Sequence, residues 1–203
     1  MTTRLPDRRV ARTRELVLDA FRDLMVEKGY EQMTVQHLLD RAGVGRATFY
    51  AHFRNKEELL ASSIRRLQGG LREACKRAAE EQRTPGLPLG FAREFLRHVD
   101  GHRRIYHLMV GRPSEVTIDR YMRRMLAELV REDLATQPGR QSAPKNQEVA
   151  VQFATGALWS LLHWWISTRT KLSADDLYAQ FRRLAMDGLG GTSGRGSTAL
   201  EDR

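Results

Sequence analysis

Apolar side chains recur along this chain at intervals of three and four, the period of a helix with one buried face. Val17, Ala20, Phe21, Leu24 and Met25 form the first such stripe. Lys28-Gly29-Tyr30 closes it, with a glycine suited to the left-handed backbone that ends helices. Thr34 stands as an N-cap before Val35, Leu38, Leu39 and Ala42, and Gly43 stops that segment. A very short helix over 46–53 follows. Asn55, with Glu58 three residues on, opens the next in a capping-box arrangement. Its stripe runs through Leu60, Ile64, Leu67, Leu71 and Cys75 towards Ala79, weakened midway by Gly69 and Gly70. Pro85, Gly86 and Pro88 break the pattern. Shorter helical patterns lie over 89–99 and 103–110, and a longer one runs from an N-cap at Ser114 to about Ala135. A polar, flexible connection covers 136–147. Two last helices cover 147–168 and 174–189, the second capped by Ser173 with Asp176. No run alternates with the period of a strand. The pattern predicts an all-α protein of about nine helices. Three of them make a small N-terminal domain over 1–55, and a larger helical domain covers 56–189. The tail over 190–203 has no apolar face and is expected to be disordered.

Composition narrows the partners. Among 203 residues, 34 Lys and Arg face 25 Asp and Glu, a formal charge of +9. This surplus favours an anionic partner without choosing nucleic acid, membrane surface or acidic protein. The single Cys75 allows no disulfide and no cysteine-based zinc site within one chain. The N-terminus lacks an apolar signal region, and the most apolar run, Phe153 to Ile166, is shorter than a membrane span and contains His163. A soluble cytoplasmic protein without cofactor or metal is expected. An enzyme is the first rival reading. His98 and His102 stand at a metal-ligand spacing, but Asp100-Gly101 is expected to break the helix between them. No nucleophile elbow, HExxH or phosphate loop is present. The expectation is therefore no enzyme, with solvated or capping roles for these histidines. A membrane-surface or protein-interaction module, the second rival, needs one long basic amphipathic helix. Here the basic residues attach to a helix-turn-helix.

That unit spans about 34–53. Ala42 lets two helices approach, Gly43 permits the turn, and Val44 plugs it. Phe49 and Phe53, one helical turn apart, face inward. Arg46, Ala47, Thr48, Tyr50, Ala51 and Arg54 are then free to face outward. Arginine can grip guanine edges or phosphate, and threonine can reach phosphate or a thymine methyl. Small Ala47 and Ala51 let the helix lie deep in a major groove. Tyr50 fits either a phosphate contact or a half-buried core position, and His52 either a contact or a cap. Lys56 sits at a helix start, where the dipole disfavours a cation, and a bound phosphate would explain it. Thr34 offers a second phosphate site. Arg8, Arg9, Arg12 and Arg14 fit a solvated helix start or a DNA-touching arm.

The residues from Gly29 to Leu59 closely resemble the DNA-binding signature of the TetR family of bacterial transcriptional regulators. Gly29-Tyr30, Thr34, Ala42-Gly43-Val44, Thr48, Tyr50, His52-Phe53 and Lys56 with two glutamates carry the match. The resemblance implies a homodimer on a palindromic operator, most often a repressor, with a C-terminal domain that holds the dimer and often binds a small effector. It implies DNA contacts by Thr34, Gln36, Arg46, Ala47, Thr48, Tyr50 and His52, with Lys56 on a phosphate. Gly45 stands where a serine often caps the recognition helix, and Ala47 replaces a common glycine.

A single reading head covers few base pairs, so specificity asks for two half-sites about one DNA turn apart. The penultimate helix is apolar nearly all round, which points to burial on several sides. Phe153, Ala157, Leu161 and Trp164 on it, with Leu177, Phe181 and Leu184 on the last helix, are expected to form a four-helix dimer interface. Candidate effector-pocket residues are Phe91, Phe95, Tyr106, His107 and Met109, with Met122, Met125, Trp159 and His163. Each also fits an ordinary core or surface role. The long fourth helix is expected to carry any switch, softened at Gly69-Gly70.

Overall fold

The computed structural model describes residues 5–82, 88–109, 115–136, 144–168 and 170–190. They form ten helices: α1 (Leu5–Glu27), α2 (Gly29–Gln32), α3 (Val35–Ala42), α4 (Arg46–His52), α5 (Lys56–Gln82), α6 (Gly90–Gly101), α7 (Arg103–Met109), α8 (Glu115–Thr136), α9 (Pro144–Ser167) and α10 (Ala174–Gly190). No strand occurs among the described residues. The tenth helix, absent from the sequence expectation, is α2. Its four residues complete about one turn, too few to display a period.

Local chemistry sets the first four helices. Gly29 takes φ +73°, the left-handed conformation that separates α1 from α2. Thr34 caps α3: its hydroxyl accepts from the His37 N–H at 3.2 Å, and its own N–H donates to His37 Nδ1 at 3.4 Å. Gly43, at φ +64°, ends α3 and donates its N–H to the Leu39 carbonyl. Gly45 starts α4 with no side-chain cap, as its missing hydroxyl dictates. These helices close on Val17, Phe21, Leu24, Leu38, Phe49 and Phe53, all buried.

α5 leaves this head from Asn55, whose Oδ1 accepts from the Glu58 N–H at 2.8 Å. The Glu58 carboxylate reaches back to the Arg54 N–H at 2.8 Å, one residue earlier than a capping box would place it. α5 then runs 27 residues without a break, Gly69 and Gly70 included. In the larger body α8 packs on α9, α6 on α10, and α5 on both α6 and α8. Phe95, Leu96, Leu126, Val130, Leu158, Trp165 and Phe181 fill its centre. Ser173 caps α10 as expected, accepting from the Asp176 N–H at 3.1 Å.

Two boundaries are corrected. α6 continues through Asp100 to Gly101, and His102 caps it by donating its backbone N–H to the Val99 carbonyl, so no break separates the two histidines. α9 begins at Pro144, which suits the first turn of a helix because it has no N–H to leave unsatisfied. The Ser114 cap and the tail beyond residue 190 lie outside the described residues.

Candidate nucleic-acid interface and internal cavity

The head sorts its side chains sharply. Phe49 and Phe53 are fully buried, while the neighbouring Tyr50 is 48% exposed. The Tyr50 ring stands edge-on to Phe49 at 5.4 Å and remains at the surface. Thr34, Gln36, Arg46, Ala47 and Thr48 are exposed with it. Gln36 Nε2 donates to Asp40 Oδ1 at 2.8 Å, and Arg46 Nη2 donates to Gln36 Oε1 at 3.1 Å. This chain of contacts ties α3 to α4 and holds the guanidinium at the outer surface. His52 is half-buried against the Phe53 ring. Arg8, Arg9 and Arg12 are exposed along α1. Arg14 turns inward, donating to Ser62 Oγ at 2.9 Å with its guanidinium 4.8 Å from the Phe53 ring centre.

Lys56 has a structural task that its sequence position did not reveal. Its Nζ donates to the Tyr30 carbonyl at 2.7 Å and the Met33 carbonyl at 3.0 Å, and lies 4.3 Å from the Tyr30 ring centre. The ammonium therefore satisfies carbonyls at the end of α2, where a cation is favoured. Burial lowers its pKa from the usual lysine value, partly offset by Glu31. The cation at the start of α5 is explained within the chain, without a phosphate.

A cavity of about 610 Å³ lies between α1, α5, α6, α7 and α8. Of the expected pocket residues it is lined by Tyr106 and Met122. Phe91, Phe95 and Met125 are instead buried in the core, and His107 is exposed. The Met109 side chain lies outside the described residues. Trp159 and His163 border a separate void of about 20 Å³, room for little more than a water. Sequence reasoning missed Leu18, Phe21 and Met25 of α1, which form one wall, and Ile64, Leu67 and Leu71 of α5, which form another. It also missed His98 and His102, whose rings stack at 4.3 Å. Burial, with His102 beside it, pushes the His98 pKa down to about 4. Two histidines one turn apart, at the end of a helix with one apolar face, were the available signal.

Val149, Phe153 and Trp164 leave an apolar stripe along α9, with Leu184 of α10 also exposed. Ala157 and Leu161 are half-buried. Leu177 and Phe181 correct the interface expectation: at 2% and 1% exposure they fill the chain's own core and have no surface to offer a partner.

The family model of bacterial regulatory proteins, tetR family, matches residues 17–62, and the model of a transcriptional regulator C-terminal region matches residues 88–187. The chain belongs to the TetR family. It is therefore a transcriptional regulator with an N-terminal DNA-binding domain. It is 48% identical over 61 residues to the uncharacterized HTH-type transcriptional regulator YxbF of Bacillus subtilis (strain 168), a match covering 30% of this chain and 16% of that one. Matches to the first curated relatives span 16% to 35% of their length. A TetR transcriptional regulator from Streptococcus agalactiae 2603V has the same fold: TM-score 0.62, 24% identity, 89% of this chain and 97% of that chain covered. So does Thermus thermophilus FadR, a repressor solved with lauroyl-CoA: TM-score 0.62, 20% identity, 93% and 100% covered. In this TetR-family chain the first model spans the second half of α1 through the opening turns of α5, the segment that carries the exposed reading face. Among the described residues no helix is long and apolar enough to cross a membrane, and no three His, Cys, Asp or Glu side chains cluster to hold a metal.

Proposed function

We propose that the protein is a homodimer whose two reading heads bind a palindromic operator and repress transcription, and that a small molecule in the cavity releases it. Residues 1–55 are the reading domain and 56–189 the effector and dimerisation domain. The observation that carries this reading is the sorting along α3 and α4. Phe49 and Phe53 hold the unit together while Thr34, Gln36, Arg46, Ala47, Thr48 and Tyr50 remain outside. Arg46 has the fork that reads guanine O6 and N7, and Thr34, Thr48 and Tyr50 offer hydroxyls to phosphate. His52 borders this face, and Lys56 supports it from within.

The apolar stripe of Val149, Phe153 and Trp164, with Leu184, supports a second subunit as its cover. A dimer also meets the need for two half-sites. The cavity supports an effector, because α1 of the reading domain forms one of its walls and α5 runs from the head directly past it. Arg120 Nη2 and the Tyr121 hydroxyl of α8 both donate to Glu57 in the first turn of α5, at 2.8 and 3.1 Å. A guest that favours one spacing of these helices shifts the heads' populations with it. The T. thermophilus FadR neighbour, of the same fold, was solved with an acyl-CoA.

Fluorescence anisotropy with the promoter duplex flanking the protein's own gene, repeated over a salt series, tests the reading together with sedimentation. A dimer at micromolar concentration is expected, with affinity falling steeply as salt rises. Phe153→Glu is expected to yield monomers that bind the duplex poorly. A wild-type monomer, or binding indifferent to salt, refutes it.

A further inference from the structure

The cavity under the reading head is lined by arginines, yet it has no spare positive charge. Arg66 Nη1 lies 2.9 Å from Glu15 and 3.1 Å from Asp19. Arg22 lies 3.5 Å from Asp19 and 3.7 Å from Asp23. Arg97 lies 2.9 Å from Asp175 and 3.7 Å from Glu94, and Asp175 also holds Arg93 at 3.0 Å. The arginines Arg22, Arg66, Arg93 and Arg97 are thus matched by Glu15, Asp19, Asp23, Glu94 and Asp175. An anionic guest would have to break these pairs or remain uncompensated, and burying a charge without a partner is costly.

The polar groups left without partners are neutral ones. Ser63, His98 and Tyr106 line the cavity, and their side chains make no hydrogen bond among the described residues. The Tyr106 ring stands edge-on to His98 at 6.3 Å. His102 Nδ1 lies 2.8 Å from the His98 carbonyl, so Nδ1–H donates there, and the tautomer with that proton presents Nε2 as an acceptor. The buried His98 ring is itself uncharged near neutral pH. Together these groups offer two hydroxyls, one N–H and one lone pair on the His98 ring, and the His102 Nε2 acceptor, beside an apolar wall of Leu18, Phe21, Met25, Ile64 and Leu67. A hydroxyl both donates and accepts, so it can satisfy both kinds of group at once. A carboxylate can accept from the hydroxyls and the His98 N–H but donates nothing to the ring lone pairs, and its charge meets only arginines already paired with carboxylates.

We propose that the cavity takes an uncharged amphipathic molecule, with an apolar body on α1 and α5 and a hydroxyl end at the His98, His102 and Tyr106 group. The proposal rests on reading this cavity as the effector site. Calorimetric titration of the full chain with para-heptylphenol and para-heptylbenzoate tests it, since the probes share a skeleton and differ in charge at the polar end. The phenol is expected to bind at least about tenfold more tightly than the benzoate. Tyr106→Phe should weaken the phenol several-fold. Gly70→Leu should abolish its binding, because Gly70 lines the cavity and a Cβ there meets nothing within 4 Å, leaving the new side chain room to fill the space. Both variants should keep the wild-type helical circular dichroism and a cooperative thermal melt, which reports that they are folded. A benzoate that binds as well as the phenol, a phenol that does not bind wild type, or a phenol indifferent to Gly70→Leu overturns the proposal. Phenol binding that leaves operator affinity unchanged upholds this ligand class and sinks the effector reading instead. A wild-type protein that fails to bind any operator, while still taking the phenol, sinks the regulator reading alone.

Discussion

The reading head and the body are built from the same kind of helix but specified differently. In the head, residues adjacent in sequence set each turn: Thr34 with His37, Gly43 by its left-handed backbone, Gly29 by the same device. In the body, one cavity draws its walls from residues as far apart as Leu18 and Met122. Short-range chemistry therefore determines how the head is presented, and long-range packing determines what the body can hold.

The largest effect should come where even the head depends on packing. Phe49→Ala removes a fully buried ring and should cost about 3–5 kcal/mol in denaturant unfolding. A cost near that of a surface change would mean the head is held by its caps alone. Acid should act on the body. The unfolded His98 takes a proton near pH 6.5, whereas the folded ring resists until about pH 4. Stability is thus lost as pH falls through that window, and thermal melts of His98→Phe should lose it less steeply. An unchanged slope would place the acid sensitivity elsewhere.

Lys56→Ala separates two roles. Loss of its two carbonyl bonds should cost about 1–2 kcal/mol, low in the range for charged donors because the side chain is half-exposed. The salt dependence of operator binding should keep its slope. A slope smaller by about one would restore the phosphate contact. Thr34→Ala should cost about 1 kcal/mol through the lost cap of α3, read by the same unfolding experiment. Smallest is Gly45→Ser, a gain of about 0.3 kcal/mol, since α4 has no side-chain cap to lose. A Cβ at Gly45 comes no closer than 4.0 Å to a neighbour, so a destabilised variant would mean that strain outweighs the new cap.

Legibility in the sequence followed the same division. The helical period placed Phe49 and Phe53 inside, because two faces of one short helix differ plainly in polarity, and left Tyr50 open between a surface contact and a half-buried core position. It could not separate Phe181 from Phe153. Both are apolar at helical spacing, yet one fills the chain's own core and the other stands half-exposed. A period reports that a face is to be covered, not what covers it. The pocket failed for a related reason. Phe91, Phe95 and Met125 have the same apolar character as the true lining, but a cavity is space left between helices, and no residue type marks its edge. The intrachain task of Lys56 was hidden because the end of α2, whose carbonyls it meets, lies 23 to 26 residues away.

The sequence by itself determined the all-helical class, the helix-turn-helix with its inner and outer faces, and the glycine and threonine signals that end and begin its helices. These follow from bonds and sterics between near neighbours, which the order of residues already contains. Only the tertiary structure decided that Lys56 closes α2, that α1 forms a wall of the cavity, and that α9 rather than the buried face of α10 leaves apolar surface. Those depend on which distant helices meet, and packing chooses among faces that the helical period alone leaves equivalent.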